Sequence, residues 1–314
     1  MRHERQRGGR SDLVSAFGQT RLGFGCAHLP GRLARREALA VLETAFDAGI
    51  RHFDVARMYG DGQAEGIVGA FARGRRAELS LVTKAGITPA SHGIAARTLR
   101  QALHAAPALA TFIPAAARDA LAPRFGQFAP AQIRDSLEKS LRELQTDYID
   151  ALLLHECAPH HVTDELKLTL ERLKADGKIK RWGIACLAEP SRALITTHPD
   201  LCDVVQVAAA ADVRPLPDAA LIVHSVLGRR LAALAEKLEG DAALAARFQA
   251  VVSADPRDRS ALAAVLIQWE LQRRPDAMVL FSSTAPARIR RNAALSSAGG
   301  TPAGLASFMQ AIAT

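Results

Sequence analysis

Eight short apolar runs separated by helical patterning limit what this chain can fold into more than any other feature. In the most telling one, residues 149–155, Ala151, Leu152, Leu153 and Leu154 follow one another without a polar break. A strand with no polar face must be covered on both sides, as the strands of parallel sheets are. The other runs are residues 22–26, 52–56, 79–84, 180–186, 204–207, 220–225 and 277–282. Between them lie helices. Residues 36–48 place Ala40, Leu42 and Phe46 on one side and stop at Gly49. Residues 63–72 follow, and Pro130 then opens a helix whose apolar stripe is Ile133, Leu137, Leu141 and Leu144. Further helices are predicted over 165–176, from near Pro190, and over 229–238, 258–273 and 286–295.

This alternation predicts an α/β protein, a single (β/α)8 TIM barrel in one domain spanning residues 1–314, with an elaborated loop after the third strand. An open doubly wound sheet should carry Gly-x-Gly-x-x-Gly after its first strand. Gly23 and Gly25 are followed instead by Cys26-Ala27-His28. Residues 86–130 hold Pro89, Pro107, Pro114 and Pro123 and read as a loop over the barrel mouth, or equally as a surface excursion, with a helical piece at 95–105. Residues 1–20 read as a loose or hairpin arm, and 302–313 as a helical tail.

Composition excludes several classes. Apolar residues make up 49% and charged residues 23%, the balance of a globular chain with a sizeable core. No apolar run is long enough to span a bilayer, and the basic first ten residues have no apolar segment behind them, so neither a membrane span nor a secretory signal is expected. The net charge of +8 comes from scattered arginines with few aromatics to stack on bases, which argues against nucleic acid and is compatible with an anionic cofactor. Cys26, Cys157, Cys186 and Cys202 lack metal-ligand spacing and suit a reducing cytoplasm. The first three follow predicted strands and are expected near the mouth, as small lining residues or as a thiol cluster.

Four polar residues stand out against the apolar pattern. Asp54, Lys84 and His155 end three of the predicted strands, and Tyr59 follows Asp54 in the next loop, within Gly49-Ile50-Arg51-His52-Phe53-Asp54-Val55-Ala56-Arg57-Met58-Tyr59-Gly60. Asp54 and Lys84 taken alone can be a structural ion pair, and His155 alone a core histidine. An acid in an apolar strand needs a partner. Arg57 can reach an anionic substrate or lie solvated in the loop.

This stretch, with Glu65 and Gly69 beyond it, resembles the aldo-keto reductases from about Leu22 to Asn292. The resemblance implies an Asp54-Tyr59-Lys84-His155 catalytic tetrad and reversible, NADPH-dependent reduction of a small aldehyde or ketone. Tyr59 is then the proton donor. A free phenol has a pKa of ~10, and a lysine ammonium beside it stabilises the phenolate. Asp54 keeps Lys84 charged and oriented, and His155 donates to the carbonyl oxygen.

The resemblance also implies cofactor contacts in the C-terminal third. His224-Ser225-Val226-Leu227-Gly228-Arg229 is similar to the pyrophosphate loop, with His224, Ser225, Leu227 and Gly228 as contacts. Ser283 and Arg288 correspond to positions that grip a 2′-phosphate and Asn292 to one that meets adenine, which favours NADPH over NADH. Gln206 corresponds to one arm of the clasp on the nicotinamide carboxamide. The Ser-Asn pair that forms its other arm is replaced by Ala185-Cys186, and His224 stands where an aromatic often stacks. Ser282 and Arg291 also depart from the pattern. These departures keep open a cofactor-binding regulatory or sensor protein with little turnover. A monomer or weak homo-oligomer is expected.

Overall fold

A computed structural model describes residues 20–29, 33–89, 114, 122–198, 201–211, 219–296 and 302–313. Its strands are β1 (Leu22–Gly25), β2 (His52–Asp54), β3 (Ser80–Ala85), β4 (Ala151–His155), β5 (Trp182–Ala185), β6 (Val204–Ala208), β7 (Ala220–His224) and β8 (Ala277–Phe281). All pair in parallel and in chain order, and β8 closes onto β1 through Gly23 opposite Leu280. The closed (β/α)8 barrel expected from the alternation is what the chain forms.

Among the described residues the α-helices are α1 (Arg35–Asp47), α2 (Ala64–Ala72), α3 (Pro130–Leu144), α4 (Asp164–Ala175), α5 (Ala188–Thr197), α6 (Arg229–Gly240), α7 (Ala242–Val252), α8 (Arg259–Arg273), α9 (Pro286–Ala294) and α10 (Leu305–Ala313). Two differences from the sequence reading have clear causes. The fifth helix starts at Ala188 rather than near Pro190, because a proline in the first turn forfeits no intrahelical bond. Helix α7 was not expected from periodicity. It is nucleated by Asp241, whose carboxylate accepts from the Leu244 amide at 2.9 Å.

Residues 209–219 link β6 to β7, and the described part of that link holds no helix. Arginines from the end of α8 tie it down: Arg273 Nη2 donates to the Ala209 carbonyl at 2.7 Å and Arg274 Nη2 to the Ala211 carbonyl at 2.8 Å. Fully buried Glu270 anchors this cluster and accepts from Arg230 at 2.8 Å. The predicted arm (1–20) apart from Thr20, the helical piece (95–105) and most of the loop after the third strand lie outside the described residues.

Strand alternation decides what faces the barrel axis. Val82, Ala151, Leu153, Ala185, Val204, Ala220, Ile222, Met278 and Leu280 form one interior cluster. The residues between them, such as Phe53, Leu81, Leu152, Leu154, Val205 and Val223, belong to a larger cluster packed under the helices. Counting in twos from the interior set, Lys84 follows Val82, His155 follows Leu153, Gln206 follows Val204 and His224 follows Ile222. Register therefore aims four polar side chains inward at the C-terminal rim, and places Asp54 beside Val82. Gly69 lets α2 press onto α3: a Cβ there would sit 2.3 Å from the Glu143 carbonyl oxygen.

Candidate active site

At the rim, Lys84 Nζ donates to Asp54 Oδ1 at 2.6 Å and to the Val55 carbonyl at 3.1 Å. Asp54 is 4% exposed and Lys84 2%, so this is a dry ion pair. Gln206 Nε2 reaches across from β6 and donates to Asp54 Oδ2 at 2.7 Å. Lys84 Nζ lies 4.9 Å from the centre of the Tyr59 ring, and that ring meets the His155 ring edge-on at 6.3 Å. The fold thus brings Asp54, Tyr59, Lys84 and His155 together from β2, its following loop, β3 and β4.

Tyr59 owes its place to a tight turn. Gly60, Asp61 and Gly62 all take positive φ (57°, 54° and 83°), reversing the chain immediately before α2. Behind the turn, Arg57 is buried and faces Glu65 at 3.9 Å. Glu65 in turn accepts from the Thr83 hydroxyl at 2.5 Å. Arg57 is therefore not solvated. It belongs to a brace that fastens the Tyr59 loop to β3 one residue before Lys84.

The electrostatics differ in one respect from the simple expectation of an acidified phenol. Burial is the strongest influence on Tyr59 and raises its pKa; Lys84 opposes this and Asp54 adds to it, leaving the phenol above its ordinary value. Burial alone pulls Lys84 down, but Asp54 and then Tyr59 carry it above the usual lysine range. Burial, reinforced by the Lys84 charge, lowers His155 to about 4, so its imidazole is neutral at physiological pH. His224, on the same rim, is also lowered, chiefly by burial. A rim with one fixed cation, one fixed anion, a protonated phenol and a neutral imidazole can deliver a proton and a hydrogen bond to a polar atom placed among them.

Among the cofactor candidates, His224 is half-buried and its Nδ1 lies 2.9 Å from the Ser225 hydroxyl. Ser225 and Gly228 both take left-handed φ (57° and 60°), and Gly228 caps α6 with Leu227 packed against the core. The loop after β8 is half-buried over Ser282–Ala285 and opens α9, on which Arg288, Arg290 and Arg291 are exposed and Asn292 is buried. The Ser283 hydroxyl accepts from the Ala285 amide at 3.2 Å, shaping that entry. An exposed arginine in the first turn of a helix, beside a half-buried loop, is a donor set that suits a phosphate.

The cysteines divide. The Cys186 thiol, where the resemblance implies an asparagine, accepts from the Cys157 amide and donates to the Cys157 carbonyl, each at 3.2 Å. Cys26 stands apart, its amide on the Asp54 carbonyl at 2.8 Å. Burial holds Cys157 near 12 and raises Cys26 and Cys186 well above the usual thiol range, so these are packing groups rather than nucleophiles. No cluster of metal-binding side chains occurs among the described residues. Glu65 and Thr83 are the site residues whose part was not anticipated; an acid in an otherwise apolar helical turn, at Glu65, was the available signal.

A closed parallel barrel with a buried lysine–carboxylate pair, a tyrosine and a histidine at its C-terminal rim defines a class that the comparisons identify. The aldo/keto reductase family model matches residues 21–188, just over half of the chain, and the chain belongs to that family. D-threo-aldose 1-dehydrogenase of a Pseudomonas species is 34% identical over 196 residues, 60% of this chain and 56% of the relative. Methylglyoxal reductase of Escherichia coli is 31% identical over 153 residues, 49% of this chain and 40% of the relative. The chain thus spans about half the length of these relatives. A Bacillus halodurans aldo-keto reductase superposes with a TM-score of 0.69 at 21% identity, covering 94% of both chains. A Klebsiella pneumoniae aldo-keto reductase in complex with NADPH gives 0.65 at 24% identity, over 93% of this chain and 90% of the other.

Proposed function

We propose that the protein is an NADPH-dependent oxidoreductase that reversibly reduces a small aldehyde or ketone to the alcohol. The observation that carries this reading is the 2.6 Å Asp54–Lys84 pair set under the Tyr59 ring, with the His155 ring at its edge. The identified relatives are named for the chemistry of a carbonyl or an aldose, and one structural neighbour holds NADPH, which supports the same reading.

In this proposal the carbonyl oxygen sits between Tyr59 and His155. Neutral His155 donates an N–H to it and shares the charge that grows there. Burial keeps the Tyr59 phenol protonated until it is needed. As the proton leaves, the adjacent Lys84 ammonium stabilises the phenolate, while Asp54 holds that ammonium charged and pointed. The nicotinamide supplies the hydride when bound. His224 would lie against its ring, Ser225, Leu227 and Gly228 against the pyrophosphate, Ser283 and Arg288 against the 2′-phosphate and Asn292 against adenine. Arg288 is the reason for NADPH over NADH.

The basic chain is read as a cytoplasmic protein acting on a small molecule, without nucleic-acid or membrane partners, as a monomer or weak homo-oligomer. Among the described residues no helix is long and apolar enough to cross a membrane. The Cys186 thiol, turned onto backbone, favours a second reading: a nicotinamide-binding sensor with slow turnover. NADPH oxidation with a panel of small aldehydes decides between them. Turnover that vanishes in Tyr59→Phe supports the reductase; tight NADPH binding without turnover on any carbonyl supports the sensor.

A further inference from the structure

Gln206 sits where the family resemblance placed a contact to the carboxamide, and its amide nitrogen is already engaged on the protein side. Its nitrogen lies 2.7 Å from Asp54 Oδ2, with Gln206 3% exposed and Asp54 4%. An ionised carboxylate only accepts hydrogen bonds, so the atom facing it must be the amide nitrogen. Lys84 holds the other oxygen at 2.6 Å. The carboxylate is therefore gripped on both oxygens from separate walls of the barrel, β3 and β6, and its plane is fixed.

We propose that Gln206 is a positioning residue: it fixes the Asp54 carboxylate in the plane that keeps the Lys84 ammonium turned toward the Tyr59 phenol. This rests on the reading of Tyr59 as the proton donor. The ionisable groups around that phenol are Lys84, Asp54 and Cys26, with His155 at its edge and His224 bordering Asp54. A donor on Oδ2 draws off part of the Asp54 charge. Without it, the freed oxygen opposes the phenolate more strongly, and Lys84 loses its fixed partner. Both consequences make Tyr59 harder to ionise. The neighbouring clasp positions offer no competing partner for a carboxamide, since Ala185 has no polar side-chain atom and the Cys186 thiol is bonded to backbone.

The chain has two tyrosines, so a Tyr148→Phe background leaves Tyr59 as the single phenol. Its ionisation is then read from tyrosinate absorbance within milliseconds of an alkaline pH jump, before unfolding intervenes. Gln206→Met, close in size but without a donor, should raise the Tyr59 midpoint by ~0.5 pH unit or more and lower kcat. The same substitution in Asp54→Asn should produce no shift, because Gln206 acts through that carboxylate. An unmoved midpoint, a shift of equal size in Asp54→Asn, or a loss of NADPH affinity of ~10-fold with the titration unmoved each overturns the proposal. Should Gln206→Met not fold, Gln206→Asn, too short to reach Oδ2, replaces it with the same expectations. Retained turnover in Tyr59→Phe would instead overturn the assignment of the proton donor, while the titration decides Gln206 independently of turnover.

Discussion

Lys84 Nζ and Asp54 Oδ1 stand 2.6 Å apart on neighbouring strands, both almost wholly out of water. Two charges buried this deeply persist because each satisfies the other, and either one alone is costly. That dependence makes the pair informative about both stability and chemistry.

Replacing Lys84 with Met leaves Asp54 with an uncompensated charge in the barrel. Unfolding in urea should show a loss of about 3–5 kcal/mol. Under the proposed function, carbonyl reduction should fall by about 10²–10⁴ in kcat, since the phenolate of Tyr59 loses its counter-charge. A variant of normal stability and normal kcat would contradict the assignment of the pair.

Acid should weaken the fold through its neutral histidines. Burial holds both His155 and fully buried His52 near 4, below the ordinary value of 6.5. Between those two pH values the unfolded chain binds protons that the native chain refuses, so stability is complete above pH 6.5 and falls as pH drops toward 4. For His52 the loss should reach about 3 kcal/mol. Denaturation midpoints measured across this window should decline steadily, and His52→Gln should flatten the decline. A flat wild-type profile would refute it.

Arg288 is exposed at the start of α9, beside the half-buried Ser283 loop. Arg288→Ala should weaken NADPH by about tenfold or more and leave NADH nearly unchanged, because only the former carries the phosphate assigned to the guanidinium in the proposed function. Fluorescence titration with both cofactors checks this. Equal weakening would reassign the residue.

Gly69→Ala tests packing alone. Its Cβ would come within 2.3 Å of the Glu143 carbonyl and 2.8 Å of Leu144 backbone atoms, forcing α2 off α3. A loss of about 1–3 kcal/mol in thermal or urea unfolding is expected, with the Asp54–Lys84 pair unaffected. An unchanged melting temperature would mean that the helices separate freely.

Much of the barrel was legible in the sequence. Runs such as 149–155 and 277–282 are apolar on successive residues, and the helix from Pro130 shows its stripe plainly. Helix α7 was hidden, since its single buried residue, Phe248, leaves almost no periodic stripe to read. Arg57 was misjudged for a different reason: an arginine in a loop looks solvated until a buried acid from the next helix is seen to face it.

The sequence by itself determined the alternation of strand and helix, and the polar residues that end apolar strands, because these follow from local pattern and from the cost of burying a charge. The tertiary structure alone decided that Gln206, more than a hundred positions from Asp54, closes on its carboxylate across the barrel. It also decided that burial outweighs Lys84 at the Tyr59 phenol. Contacts between walls of a closed sheet depend on register and shear, which no stretch of sequence read alone contains.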